Sequence, residues 1–135
     1  MSQKLIEEYM DFVDKVTSEA SKSSDKMNER VEYLNSNGVE VSRLLTASIG
    51  LSGEVGELNE IIKKILFQAK TYDSVTHEHM KRELGDIIWY VIQACLALNI
   101  DLADVIKGNK DKLSKRFPQH EFSVKESNNR EAGDL

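Results

Sequence analysis

Two short stretches of this chain each place a pair of carboxylates three residues apart. They are Glu54-Val-Gly-Glu57 and Glu83-Leu-Gly-Asp86. On a helix that spacing is nearly one turn, so each pair shares a face. Glu54 and Asp86 lie equally far from residue 70, and so do Glu57 and Glu83. A simple antiparallel hairpin turning there brings all four to one level. Four clustered carboxylates without a cation repel one another and resist desolvation. Either they are solvated apart, as acidic pairs on outer helix faces commonly are, or they hold a metal. An all-oxygen donor set selects Mg²⁺ or Mn²⁺ over zinc or copper. A di-iron bundle would want Glu-x-x-His, and neither pair has a histidine. Both pairs border apolar positions (Val55, Leu58, Leu84, Ile87), which puts them at a rim.

A second set of groups could meet a phosphate. Asn109, Lys112 and Arg116 follow an i, i+3, i+7 pattern. Asn109 falls on an apolar stripe, where a polar group needs a partner. Lys112 and Arg116 either reach phosphate oxygens or are simply solvated. Lys63, Lys64, Gln68 and Lys70 stand in the same position near the hairpin turn. Trp89 packs in the core or stacks on a base, and packing is the commoner use of such a ring. His77 and His79, at a helix start, read as exposed. Gly50, Gly53, Gly56 and Gly85 sit inside the helical stretches. Each costs a helix about 0.5–1 kcal/mol relative to alanine, so they signal close helix packing, room for a ligand, or both. There is no nucleophile elbow, P-loop or dinucleotide glycine motif.

The elements that must carry these residues are helices. Residues 4–20 show one apolar stripe (Leu5, Ile6, Tyr9, Phe12, Val13, Val16). A polar break at 21–25 precedes a short piece ending at Asn35-Ser-Asn-Gly38, where Gly38 can take the left-handed cap. Residues 1–35 thus form one broken helix or two short ones. The next helix runs from about Val41 to Ala69 on Leu44, Leu51, Val55, Leu58, Ile62 and Ile65. Ser74 or Thr76 caps a helix over 77–98, whose stripe is Leu84, Ile87, Val91, Cys95 and Leu98, and Asn99 closes it. Asp101 caps a fourth helix, on Leu102, Ile106, Asn109 and Leu113, that Pro118 ends. No alternating strand pattern of useful length is present. The fold class is all-α, a helical bundle of about four to five helices. One domain is expected over 1–118, with 119–135 as a polar arm or tail.

Composition narrows the remaining choices. The 135 residues suit a single domain with a small core. The net charge of −5 argues mildly against long nucleic acid. The longest apolar run, Ile87–Leu98, is too short to span a bilayer, so no membrane role is expected. The acidic start of the chain does not read as a secretion signal. The lone Cys95 allows no intramolecular disulfide and reads as a small buried side chain, which makes a reducing cytoplasm the expected location.

Three segments resemble the MazG-like nucleoside triphosphate pyrophosphohydrolases of the all-α NTP pyrophosphatase superfamily. They are Gly50-Leu-Ser-Gly-Glu-Val-Gly-Glu-Leu58, Glu83-Leu-Gly-Asp-Ile-Ile-Trp-Tyr90 and Asn109-Lys-Asp-Lys-Leu-Ser-Lys-Arg-Phe-Pro118. The likeness runs from about Arg43 to Pro118. Phe122, Ser127-Asn-Asn-Arg130 and Gly133-Asp134 resemble the short single-domain members of bacteria and phages. The resemblance implies that Glu54, Glu57, Glu83 and Asp86 bind Mg²⁺, with Mn²⁺ a possible substitute. It implies that Asn109, Lys112 and Arg116 contact the nucleotide's phosphates or sugar, while Lys63 and Lys70 are further candidates only by their place near the hairpin turn. It implies cleavage between the α and β phosphates to give a nucleoside monophosphate and pyrophosphate, in a house-cleaning or nucleotide-pool role. Glu54 or Glu57 would accept the proton of the attacking water. Members of this superfamily are usually homodimers or dimers of dimers whose sites a neighbouring subunit completes, and a small domain exposing apolar helix faces agrees with that. The competing readings are a non-catalytic helical bundle that kept the fold and a sibling enzyme acting on phosphoribosyl-ATP or an alarmone.

Overall fold

The computed structural model describes residues 3–129, and the resemblance carried by Arg130 and Gly133-Asp134 lies outside them. Among the described residues the secondary structure is helical throughout: α1 (Gln3–Val16), α2 (Glu19–Lys22), α3 (Ser24–Ser36), α4 (Val41–Phe67), α5 (Ser74–Leu98), α6 (Leu102–Arg116) and α7 (Val124–Asn128). They fall into two compact units, the first ending at Val41 and the second starting at Ser42.

The first unit is broken more often than its periodicity suggests. α1 ends at Val16, short of the expected residue 20, and a single helical turn, α2, starts at Glu19 before the expected break; Ser23 then caps α3 by accepting from the Lys26 N–H at 3.4 Å. Lys22 ties the turn back to α1 through the Asp14 carbonyl at 3.1 Å. Gly38 takes φ +83°, as its place after the helix requires. The Val39 N–H returns to the Leu34 carbonyl at 3.1 Å. The stripe of α1 stays exposed from Leu5 to Val16.

In the second unit α4 and α5 form the expected hairpin. Gly50 faces the Tyr90 ring so closely that a Cβ there would overlap it. These two residues are also equidistant from residue 70, so the register read from the acids is the register adopted. Gly53, Gly56 and Gly85 face open space instead. Only the first glycine is spent on helix packing.

The helix ends and faces need correction in detail. Ala69 adopts φ +51°, so α4 closes at Phe67, two residues early. The cap of α5 is Asp73, not Ser74 or Thr76. Its carboxylate accepts from the Thr76 N–H at 2.8 Å, which holds its pKa below the usual carboxylate range. Thr76 is therefore inside the first turn, and buried. Asn99 closes α5 in the left-handed conformation, as expected. The inner face of α5 keeps Ile87, Val91 and Cys95 of the expected stripe but not its two ends, Leu84 and Leu98. Thr76, Glu83, Cys95 and Ala97 are its buried residues, with Tyr90 half-buried, while Leu84 and Leu98 are exposed. Trp89 is 52% exposed, with its ring edge-on to Tyr90 at 4.8 Å, and so is not core. Asp101 caps α6 by accepting from the Ala103 N–H at 2.7 Å. The polar C-terminal stretch holds α7, capped by Ser123, which periodicity did not reveal.

Candidate metal and nucleotide site

The α4–α5 register brings three carboxylates together. Oxygens of Glu54, Glu57 and Glu83 all lie within 4.8 Å of one another. Glu57 is exposed, Glu54 half-buried and Glu83 only 5% exposed. Glycines on both helices leave open space beside them. Asp86 stands outside this close set and is exposed, yet its charge acts on Glu54. Desolvation first, then the charges of Glu57, Asp86 and Glu83, push the Glu54 pKa above the usual carboxylate value. The nearness of the Glu83 carboxyl also favours a proton on Glu54. Two carboxyls so close need a proton or a cation between them. The arrangement fits a hard divalent cation: every donor is an oxygen, they converge from two helices, and one is buried where an uncompensated charge is costly.

The other expected contacts are placed elsewhere. Lys63 is on the outer side of α4 and is ion-paired to Glu60, as is Lys64 at 3.4 Å. Together they hold the Glu60 carboxyl below its ordinary range, the Lys63 hydrogen bond contributing most. Lys70 lies in the α4–α5 connection, and its charge acts on Asp73. Asn109, Lys112 and Arg116 are all on α6. Glu83 lies about four turns, roughly 22 Å, before the end of α5. There α6 departs at 102°. By helix length alone, these three groups stand on the order of 20 Å from Glu83 along one chain.

Asn109 is exposed rather than set in an apolar interface. It lines a groove of about 460 Å³ between α6 and the segment after it, with Leu113, Phe117, His120 and Phe122. The Phe117 and Phe122 rings meet there at 6.0 Å.

One neighbour of the acids escaped the sequence reading. His79 Nε2 lies 2.9 Å from Glu83 Oε1, one turn earlier on α5. The spacing of His79 and Glu83 was the available signal.

A family model described as the MazG nucleotide pyrophosphohydrolase domain matches residues 43–121, more than half of the chain. The chain belongs to the MazG nucleotide pyrophosphohydrolase family. The match takes in the α4–α5 hairpin from Arg43 onward, with its acids, and the whole of α6. Among curated relatives of this MazG chain is the Gene 37 protein of Mycobacterium phage L5, 35% identical over 80 residues. That stretch covers 56% of this chain and 68% of the phage protein. No solved structure matches.

Proposed function

We propose that this MazG-family protein is a Mg²⁺-dependent hydrolase that cleaves nucleoside triphosphates between the α and β phosphates. The products are a nucleoside monophosphate and pyrophosphate, in a house-cleaning or nucleotide-pool role. The observation that carries the reading is the convergence of Glu54, Glu57 and Glu83 from two helices within 4.8 Å, one of them buried. These three, with Asp86 beside them, would hold Mg²⁺, and Mn²⁺ would fit the same oxygens. When bound, the metal supplies charge neutralisation for the polyphosphate and an acidified water. Glu54 or Glu57 accepts the proton that the attacking water loses. The open space at Gly53, Gly56 and Gly85 leaves room for the phosphates next to the acids.

Asn109, Lys112 and Arg116 bind the nucleotide in this reading. Their separation from the acids along one chain favours a second copy as their source, hence a homodimer or a dimer of dimers. Exposed Leu84, Ile88 and Trp89 on α5 supply apolar surface for such a contact. Lys63 and Lys70, nearer the acids along the hairpin, would meet the outer phosphates, Lys63 exchanging Glu60 for the substrate. The catalytic domain is residues 1–118 and the remainder an arm. A cytoplasmic location suits a substrate drawn from the nucleotide pool.

The test is a panel of canonical and modified ribo- and deoxyribonucleoside triphosphates, phosphoribosyl-ATP and an alarmone, assayed for pyrophosphate with Mg²⁺. Turnover of triphosphates is expected. Turnover of phosphoribosyl-ATP or the alarmone alone would move the protein to a sibling chemistry. No turnover of any compound would leave a helical bundle without catalysis.

A further inference from the structure

We propose that His79 is a positioning residue for Glu83, fixing one carboxylate oxygen so that the other is presented to the metal. This rests on the metal reading above. Glu83 is the buried member of the acid set, and His79 holds its Oε1 at 2.9 Å. The two side chains are one helical turn apart on α5, so the contact needs no distortion of the backbone. The His79 side chain is 48% exposed and that of Glu83 7%. The histidine therefore links the helix rim to a carboxylate that is almost fully buried. With its hydrogen on Nε2, the imidazole donates to the carboxylate and leaves Nδ1 to solvent. A carboxylate held on one oxygen cannot rotate freely, and the same carboxylate offers an oxygen to the set it forms with Glu54 and Glu57, all within 4.8 Å. Partners of this kind, one bond removed from the metal, typically alter metal affinity about 10–100-fold when removed.

The experiment measures Mn²⁺ binding by calorimetry and by the electron paramagnetic signal of free Mn²⁺. It compares wild type, His79→Leu and His79→Gln, without nucleotide. Leucine fills the space without a donor, and glutamine returns an N–H at similar reach. His79→Leu is expected to weaken Mn²⁺ binding about 10-fold, and His79→Gln to restore it to within about threefold. The apparent Mg²⁺ requirement for turnover should rise in His79→Leu, while kcat at saturating Mg²⁺ recovers. Circular dichroism of the metal-free proteins controls for folding, and His79→Ala replaces the leucine variant if that does not fold. Equal Mn²⁺ affinity in wild type and His79→Leu would overturn the positioning role and leave the metal site standing. Equal weakening in His79→Leu and His79→Gln would overturn it too, because the donor would then be irrelevant. A wild type that binds no Mn²⁺ would overturn both the role and the metal reading beneath it.

Discussion

Glu54 shows what the acid cluster costs the protein when it is empty. Its pKa is raised above the ordinary 4.5 by desolvation and by three neighbouring acids. The folded form thus binds its proton more tightly than the unfolded chain does. The stabilisation is fully present below the unfolded value and is lost as pH rises through the folded one. The contribution of Glu54 to metal-free stability is therefore lost as pH rises above about 4.5, opposite in sign to those of Glu60 and Asp73, and a divalent cation on the acids should offset that loss. We expect millimolar Mg²⁺ to raise Tm more at pH 7.5 than at pH 5, read by differential scanning calorimetry. An equal shift at both values would mean that the cation binds elsewhere. Glu57→Gln should lower kcat at least about 100-fold while leaving helicity unchanged by circular dichroism; retained activity would remove Glu57 from the essential set. At this scale the sequence was informative about the acids, because two pairs at helical spacing on successive helices leave few ways to fold. The i, i+4 spacing of His79 and Glu83 carried little weight in the sequence, because nothing there showed that Glu83 is buried.

The α4–α5 hairpin is the element that turns two local spacings into one site. Its register is held where Gly50 meets Tyr90, so the glycines should respond differently to alanine. Gly50→Ala overpacks the contact and is expected to destabilise by about 1–2 kcal/mol net of its helix gain. Gly53→Ala, facing open space, should stabilise by up to about 1 kcal/mol. Urea denaturation of the metal-free proteins measures both, and the same sign for the two would deny that Gly50 sets the approach. Helix identity was legible because the apolar period runs across each of the long helices. The faces were less so. On α5 the inner side carries Thr76 and Glu83, polar residues that a hydrophobic stripe passes over, while Leu84 and Trp89 lie outside it. The ends followed side-chain chemistry: Asp73, with a 2.8 Å bond to Thr76, caps α5 ahead of the serine and threonine that were expected to do so.

For the molecule as a whole, the acids on the α4–α5 hairpin and the nucleotide groups expected on α6, Asn109, Lys112 and Arg116, occupy different arms of the second unit. No single helix among the described residues is long and apolar enough to cross a membrane. Sequence spacing places residues on a face but not helices in space, so the 102° turn after Asn99 could not be read from it. If a second copy brings α6 to the acids, two inactive chains should rescue each other. Mixing Glu57→Gln with a Lys112→Ala, Arg116→Ala chain, then unfolding and refolding together, should return about a quarter of wild-type activity, because half of the dimers are mixed and each holds one intact site. An inactive mixture would place both sets of groups in one chain's site. The most direct test of the central claim is the identity of the products. ³¹P NMR of the triphosphate panel with Mg²⁺ should show a nucleoside monophosphate and pyrophosphate from the wild type and unchanged triphosphate with Glu57→Gln. A nucleoside diphosphate with inorganic phosphate, or equal product from both proteins, would contradict it.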